Sequence, residues 1–433
     1  MIRRVFCLML LAFPLALSAA PENVPARIAT QGDPLPSWND GPNKKAILDF
    51  VKAATDKNGP DYIPPAERIV TFDNDGTLWC EKPTVEIEFA LTRLKEMSEK
   101  DATLKTKQPF KAALEGDFDY IAKAGEKAIV EVLIATHCDM SQQQYAEDVR
   151  NFLHTAKHPK FNKPYVACVY QPMIELLSYM RANGFQTWIC SGGDIDFMRV
   201  FAETVYGVPP QQVIGTTFKK EFVVKDGKEV IWRFAVLVRV NDKVGKPIGI
   251  DLQIGKRPVM AAGNVRSGGD IAMLEYCQQR KGKSLQLMVN HDDAVREFAY
   301  AEKDGESLAA SKKNGWNVVS MKNDWKQIFA FEGPAKKLPV EMVGKWVVMG
   351  GSHDGAIFDF AADGTLEARF NIGGQMSVLK GTVAVQDKKL IVTTQNPQTK
   401  QDESKSCVIR ELTQQSLVVE IDDGEVFKMI RAK

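Results

Sequence analysis

The sequence predicts an α/β protein in which a parallel sheet is covered by helices and interrupted by a helical insertion, followed by an all-β antiparallel domain. Three observations predict it. Short apolar runs alternate with helical patterns through most of the chain, which is how a parallel sheet with helices on both faces is written. From about Glu81 to Lys163 only helical spacing is seen. Beyond Glu332-Gly333-Pro334 the composition shifts to short strands with closely spaced turn signals, the cadence of a small sandwich or barrel.

The elements follow in order. Met1-Ile2-Arg3-Arg4 precedes an apolar stretch from Val5 to Ser18 that is too short to span a bilayer comfortably and is broken by Pro14. Small residues follow at Ala16 to Ala20, so residues 1–20 read as a cleaved signal peptide and the mature protein as exported, periplasmic or secreted. Pro21 to Trp38 reads as an extended arm. Pro42 suits a first helical turn, and Ala46, Ile47, Phe50, Val51 and Ala54 continue that helix. Ile69 to Phe72 forms a strand, and the insertion at about 81–165 carries Ile87, Phe89, Leu91, Leu94 and Met97 at helical spacing. Met173 to Ala182 is a helix ended by Asn183-Gly184, and Phe185 to Cys190 is a buried strand. A helix is expected from about Asp194 to Val205. Phe218 to Val224 and Val230 to Val240 flank Asp226-Gly227, a hairpin signal. Strands at Pro258 to Ala262 and Leu285 to Asn290 alternate with helices starting near Gly269 and Asp292. The domains are therefore expected at 21–334, including the insertion, and at 335–433.

Composition excludes some functions. With 433 residues, 56 Lys+Arg and 55 Asp+Glu, the chain has no global field for nucleic acid or a membrane surface. No segment after the leader is apolar and long enough to be a membrane helix. Cys7 leaves with the leader; Cys80, Cys138, Cys168, Cys190, Cys277 and Cys407 remain, and their spacing leaves pairing open.

Ile69 to Phe72 runs straight into Asp73-Asn74-Asp75-Gly76-Thr77. Side chains alternate along a strand, so Asp73 and Asp75 can turn to the same side and share one cavity. A carboxylate nucleophile needs a second group to handle protons and a cation to offset charge. An acidic turn would use the same residue types. A calcium loop would not, because Thr77, Leu78 and Thr84 stand where an acid or amide, a glycine and a closing Glu are required.

Ligands in open parallel sheets bind at the carboxyl ends of the strands. At the next such end, Ser191-Gly192-Gly193 is expected to open a helix, with its hydroxyl and N–H groups as an anion cradle. Lys256, just before the Val259 strand, is a candidate fixed cation, with Arg257, Lys243 and Lys246 as competitors. Asn264 ends that strand and Asp270 begins the following helix. Taken singly, these residues are as readily a helix cap or a solvated charge.

In this order they resemble the haloacid dehalogenase superfamily, and more closely its phosphoserine-phosphatase-like branch. Phe72 to Trp79, Cys190 to Arg199, Ile254 to Leu274 and Asn290 to Tyr300 carry the likeness, which covers roughly Leu35 to Phe331. The resemblance implies a Rossmann-like sheet with the insertion as a helical cap that closes over the site and selects a small phosphorylated substrate. It implies Asp73 as nucleophile through an aspartyl-phosphate, Asp75 as acid and base, and Ser191, Gly192 and Lys256 on the phosphoryl group. Mg²⁺ would lie between Asp73, the Asp75 carbonyl, Asn264 and Asp270. Asp75 favours phosphate over halide, because carbon–halogen-cleaving members lack the second Asp. Asn264 and Asp270 are six apart where the family keeps its acids closer. Asn264 is also a neutral and weaker Mg²⁺ ligand. Transfer of the phosphoryl group to an alcohol would use the same intermediate.

Lesser candidates remain. His137 and Glu81 suit cap or rim contacts. His154 and His158, four apart, suit an exposed helix face. His291-Asp292-Asp293 follows a strand, where Asp292 is expected as a helix cap. Val343-Gly344-Lys345-Trp346 resembles the Gly-x-Trp start of small lipocalin-like barrels, with Trp346 expected as a core plug; a barrel holding a lipophilic ligand is the alternative to catalysis.

Overall fold

The computed structural model describes residues 32–266, 268–332, 338–362, 364–372, 375–386, 389–395, 402–421 and 425–432. The expected signal peptide and Cys7 lie outside them. Strands β1 (Ile69–Phe72), β2 (Met140–Ser141), β3 (Gln186–Asp194), β4 (Val213–Lys225), β5 (Lys228–Arg239), β6 (Met260–Asn264), β7 (Leu285–Asn290) and β8 (Asn317–Ser320) form one sheet. Its order is β2-β5-β4-β3-β1-β6-β7-β8. The run from β4 to β8 is parallel, and β5 and β2 add antiparallel at the edge.

Side-chain alternation sorts this sheet between two apolar layers. Val70, Phe72, Met260, Ala262, Leu287 and Val289 join the larger one. The residues between them, Ala261 and Met288, join the smaller, together with Ile250, Met273 and Leu274. That is period-two burial on both faces. The larger layer receives helices α1 (Pro42–Thr55), through Ile47, Phe50, Val51 and Ala54, and α7 (Gln171–Ala182), through Met173, Leu176, Leu177 and Met180. Between β1 and β3 lie α2 (Val85–Lys100), α3 (Phe110–Glu115), α4 (Phe118–Ala124), α5 (Glu126–His137) and α6 (Gln142–Thr155). Ala90, Leu94, Phe110, Ala113 and Val132 give this insertion its own small apolar cluster. Asp226 and Gly227 both take positive φ, 51° and 74°, as a tight hairpin turn requires. The hairpin they close is β4 and β5.

Where one helix is expected from about Asp194 to Val205, α8 covers Ile195–Arg199 and a further helical turn covers Ala202–Tyr206, and neither opens at Ser191. The N-cap of α8 is Asp194, whose carboxylate accepts from Asp196 N–H at 2.9 Å, so β3 continues through Ser191, Gly192 and Gly193 before the helix begins. Helices α9 (Gly245–Ile254), α10 (Ile271–Gln278) and α11 (Glu306–Asn314) connect the later strands.

The C-terminal part is a closed antiparallel barrel of eight strands, β9 (Gly344–Val348), β10 (Ile357–Phe360), β11 (Thr365–Ile372), β12 (Gln375–Gln386), β13 (Lys389–Gln395), β14 (Asp402–Leu412), β15 (Ser416–Glu420) and β16 (Val426–Arg431). Pairing of β16 with β9 removes the open edge. Trp346, Phe360, Leu366, Ala368, Leu390, Leu417, Val419 and Met429 are buried together inside it. Trp346 is the core plug the sequence suggested, with its indole N–H donating to Met342 O at 2.7 Å.

Cys80, Cys138, Cys168, Cys190, Cys277 and Cys407 are buried free thiols.

Candidate active site at the carboxyl edge of the sheet

Central strand β1 delivers Asp73 and Asp75 to the carboxyl edge. Asp73 N–H still donates to Ala262 O of β6 at 2.9 Å, so the ladder extends one residue past the strand and fixes Asp73. The chain then turns around the Asn74 carbonyl, which accepts from Leu78 N–H at 2.8 Å and Thr77 N–H at 3.2 Å. Tyr206 O–H holds the Asn74 side chain at 3.0 Å. Thr77 Oγ1 approaches Asp73 Oδ2 at 3.3 Å, and Trp79 Nε1–H donates to Asp75 Oδ1 at 3.0 Å. Both carboxylates are therefore held from behind.

Lys246 is the cation of the site. Its ammonium is 2.6 Å from Asp73 Oδ1 and also pairs with Asp270 Oδ1, and all three side chains are buried. Lys256, the cation expected from the sequence, is elsewhere: its Nζ donates to Ala66 O at 3.1 Å, just before β1 begins. The reason is directional. The β4–β5 hairpin runs beyond the carboxyl edge and β5 returns to it, with Arg239 opposite Thr217 just past the end of β3, so α9 starts at that edge and must reach the opposite edge to enter the parallel strand β6. Lys246 is the second residue of α9 and Lys256 lies two residues beyond its end. At 1.5 Å per residue they are about 15 Å apart along the axis. Proximity in sequence to the next strand thus selects the wrong edge.

Asp270 comes to the site by a close approach of α10 to β6. A Cβ on Gly263 would collide with the Asp270 side chain, so only glycine leaves room. Asp270 Oδ2 accepts from Asn264 N–H at 3.0 Å. The six-residue spacing of Asn264 and Asp270 therefore does not separate them. Ser191 is buried, and its Oγ accepts from Gly193 N–H at 3.2 Å. The open face of Gly193 faces Glu86 Oε2, Ser191 Oγ and Asp75 Oδ2, at 2.8, 3.7 and 3.9 Å from where a Cβ would stand. Gly192 turns its carbonyl to Thr216 Oγ1 at 2.6 Å and its open face to Asp242. The structure thus gathers Asp73, Asp270 and Lys246 in one cluster, sets Asp75 beside Ser191, and leaves Lys256 out.

The electrostatics follow from burial. Burial raises the pKa of Asp73, Asp75 and Asp270. Asp270 is pushed up to about 7 by burial and by Asp73, against the pull of Lys246. On Asp73, Lys246 opposes burial and the nearby Asp75 adds to it. On Asp75, the Trp79 hydrogen bond opposes burial and Glu86 adds to it, favouring a protonated carboxyl. Burial opposes the charge on Lys246, but Asp270 and Asp73 outweigh it and hold the ammonium protonated.

The residues present suit a hard divalent cation. Among the described residues no three His, Cys, Asp or Glu side chains converge as a ready-made metal site. The donors on hand are the Asp73 and Asp270 carboxylates and neutral oxygens such as the Asn264 amide. Mg²⁺ takes few carboxylates and keeps several waters, so this oxygen-only set fits it. Two buried acids, Asp73 and Asp270, share the one Lys246 ammonium with the half-buried Asp75 nearby, so the charge balance fits it as well.

Glu86 and Arg233, beside the site, carry no motif in the sequence. Glu86, in the first turn of α2, receives Asp194 N–H at 3.2 Å and lies 3.5 Å from His137 Nε2. His137 is fully buried at the end of α5. Arg233 of β5, also fully buried, pairs with Asp194 and Asp196, donates to His137 O at 2.8 Å and to Gln142 Oε1 at 3.2 Å, and covers the Tyr145 ring at 3.8 Å. This one guanidinium ties the β3 end to the helical insertion and the hairpin. Glu81 is buried beneath the loop after β1 and is not a rim contact. His154 is exposed as expected, but His158 is buried beyond the end of α6, because Pro159 disfavours helix at the residue before it. His291 Nε2 meets Gly76 O at 2.8 Å, and Asp292 accepts from Ser320 Oγ at 2.6 Å and Lys322 N–H at 2.9 Å, so it pins the segment after β8 instead of capping a helix of its own.

No curated protein matches the chain in sequence. Among solved structures, a conserved protein of unknown function from Anaerococcus prevotii is 15% identical over 64% of this chain and 91% of its own, with a TM-score of 0.42. A phosphoserine phosphohydrolase-like protein from Francisella tularensis is 14% identical over 58% of this chain and 94% of its own, TM-score 0.31. A lipocalin-like protein from Bacteroides uniformis is 14% identical over 21% of this chain and 99% of its own, TM-score 0.19. The haloacid dehalogenase-like hydrolase family matches residues 70–246, a range that opens within β1 and closes on Lys246 itself. Enclosing Asp73, Asp75, Ser191 and the lysine that meets Asp73, that match makes this part of the chain a haloacid dehalogenase-like hydrolase domain.

Proposed function

We propose that the protein is an exported, Mg²⁺-dependent phosphomonoester hydrolase that acts on small organic phosphates through an aspartyl-phosphate at Asp73. The observation that carries this reading is the buried Lys246 ammonium shared by Asp73 and Asp270. It stands where a phosphoryl group on Asp73 would need charge neutralised, and phosphoryl transfer is governed mainly by positioning and charge.

Asp73 attacks phosphorus as the ester P–O bond breaks. Asp75, whose pKa is raised by burial, gives its proton to the departing alkoxide. Ser191 Oγ and the N–H groups beside it orient the phosphoryl oxygens. A water then attacks phosphorus, Asp75 takes its proton, and the P–O bond to Asp73 breaks to release phosphate. When bound, Mg²⁺ would be held by Asp73, Asp270 and Asn264, with the Asp75 carbonyl that the family likeness adds, and would supply charge neutralisation at the phosphoryl oxygens. The helical insertion, linked to β3 by Arg233, is suited to exclude water and choose among esters.

A chromogenic aryl phosphate tests the proposal. Turnover that needs Mg²⁺ and disappears in Asp73→Asn is expected. No turnover by the wild-type protein, or equal turnover by Asp73→Asn, would sink it.

A further inference from the structure

Asn264 sits where the related motif carries an acid, and its side chain is engaged by a residue far away in sequence. Its Nδ2 donates to Glu81 Oε1 at 3.0 Å. The same carboxylate receives the Tyr300 hydroxyl on Oε1 and pairs with Arg266 through Oε2. Arg266 also reaches Thr84 Oγ1 at 3.4 Å, and Tyr300 is stacked on His291 with ring centres 4.3 Å apart. Glu81 is 0% exposed. Its charge is offset by Arg266 and its oxygens are occupied by donors, which leaves it little capacity to bind a cation itself. The pair packs directly under the nucleophile loop: a Cβ on Gly76 would strike Asn264 Nδ2 and stand 2.9 Å from Glu81 Oε1.

We propose that Glu81 is a positioning residue that fixes Asn264 by its amide nitrogen, so that strand β6 presents a neutral amide oxygen, and not a carboxylate, to the cation. The inference rests on the reading of Asp73 as a cation-assisted nucleophile. A primary amide has one donating and one accepting end, and anchoring the donor on Glu81 turns the oxygen away from it. The backbone of Asn264 is fixed separately by Asp270, so the side chain has little freedom to do otherwise. Aspartate at this position would set two buried carboxylates against each other with no donor between them. Glu81 thus dictates the amide at 264, and the departure from an acidic motif is a matched change at two positions.

Calorimetric titration of the whole protein with MgCl₂ tests the assignment on wild type, Glu81→Gln, Asn264→Asp and the double variant, with thermal melts to show that each is folded. Glu81→Gln is expected to weaken Mg²⁺ binding about 10–100-fold, the usual effect of losing a residue that orients a ligand. Asn264→Asp alone is expected to bind no more tightly than wild type despite its added carboxylate. The double variant is expected to bind more tightly than either single one, a rescue that a merely structural role for Glu81 would not give. If Glu81→Gln does not fold, Asn264→Asp decides the matter, because it leaves Glu81 and its other donors in place. Tighter binding by Asn264→Asp alone, or no Mg²⁺ binding by wild type, would overturn the proposal. Aryl phosphate turnover is read on the same samples: Mg²⁺ binding without turnover in wild type would count against the hydrolase reading and leave the binding series to judge Glu81.

Discussion

The α/β sheet and the C-terminal barrel treat burial in opposite ways. Among the described residues, every buried polar or charged side chain lies between Ser37 and Ser311, and none lies in the barrel. The barrel interior is a packed apolar core around Trp346, Phe360 and Leu366. The sheet instead buries Asp73, Asp270, Lys246, Glu81, Arg233, His137 and His158. Burying charge is costly unless each group is paired, so a region that does it repeatedly gives up stability for chemistry or for coupling between parts. The contrast assigns reactivity to the sheet edge and a stability role to the barrel interior.

The sharpest test of that division compares two lysines, one in the first turn of α9 and one just beyond its end. Lys246→Met should lower turnover on the order of 10³-fold or more, the scale seen when a cation that stabilises phosphoryl transfer is removed. Lys256→Met, just beyond the far end of α9, should leave kcat and KM within about twofold, because surface changes away from a site cost little. Steady-state kinetics on an aryl phosphate would show this, and similar losses in both variants would erase the sheet-edge assignment.

Arg233→Met probes the cost of buried charge directly. The substitution strands Asp194, leaves Asp196 to Lys220, and removes the donors to His137 O and Gln142 Oε1. A loss of about 3–5 kcal/mol is expected, measured as a shift in the denaturant midpoint. Turnover should fall as well, since Asp194 and the Glu86 contact beside Ser191 are anchored through this residue. A near-neutral result would mean the cluster is more solvated than its burial indicates.

The barrel gives the complementary result. Trp346→Ala should destabilise by about 3–5 kcal/mol, through lost apolar contact and the cavity left behind. Turnover per folded molecule should be unchanged. A change in KM would instead tie the barrel to substrate handling and break the contrast.

What could be read in the sequence was local. Asp73 and Asp75 follow a buried strand within three residues, and Asp226-Gly227 needs only its own two backbone conformations, so both were visible. Trp346 was visible as a plug because a Gly-x-Trp start fixes a strand and its large side chain together. Lys246 was passed over because its position depends on which edge of the sheet a connecting helix starts from, a fact about direction and not about spacing. Glu81, Glu86 and Arg233 meet their partners across long separations in sequence, which no local pattern records. His158 carried a usable signal in Pro159, which argues against a continuing helix.

His158 offers the smallest effect and isolates one buried group from the rest. Its Nε2 meets Lys82 O at 2.8 Å and its Nδ1 accepts from Lys160 N–H at 3.1 Å, so one nitrogen donates and the other accepts, as a neutral ring does. Burial holds its pKa below the ordinary histidine value near 6.5, the Lys82 carbonyl and Glu297 oppose that, and Lys160 adds to it. The unfolded ring gains a proton below about pH 6.5 while the folded ring resists it. The contribution to stability is therefore complete above that pH and is lost as pH falls from it towards the folded value. Asp73, Asp75 and Asp270 act with the opposite sign, since carboxylates with raised pKa favour the folded state at low pH and lose that advantage as pH rises. Whole-protein pH profiles would mix the two. The difference between wild type and His158→Gln cancels the carboxylates, which are common to both. Glutamine can still donate to Lys82 O and accept from Lys160 N–H, so the urea midpoint at pH 7.5 minus that at pH 5.5 should be algebraically smaller in the variant than in wild type. An unchanged gap would place the acid sensitivity on other groups and remove His158 from the charges that the sheet region keeps buried.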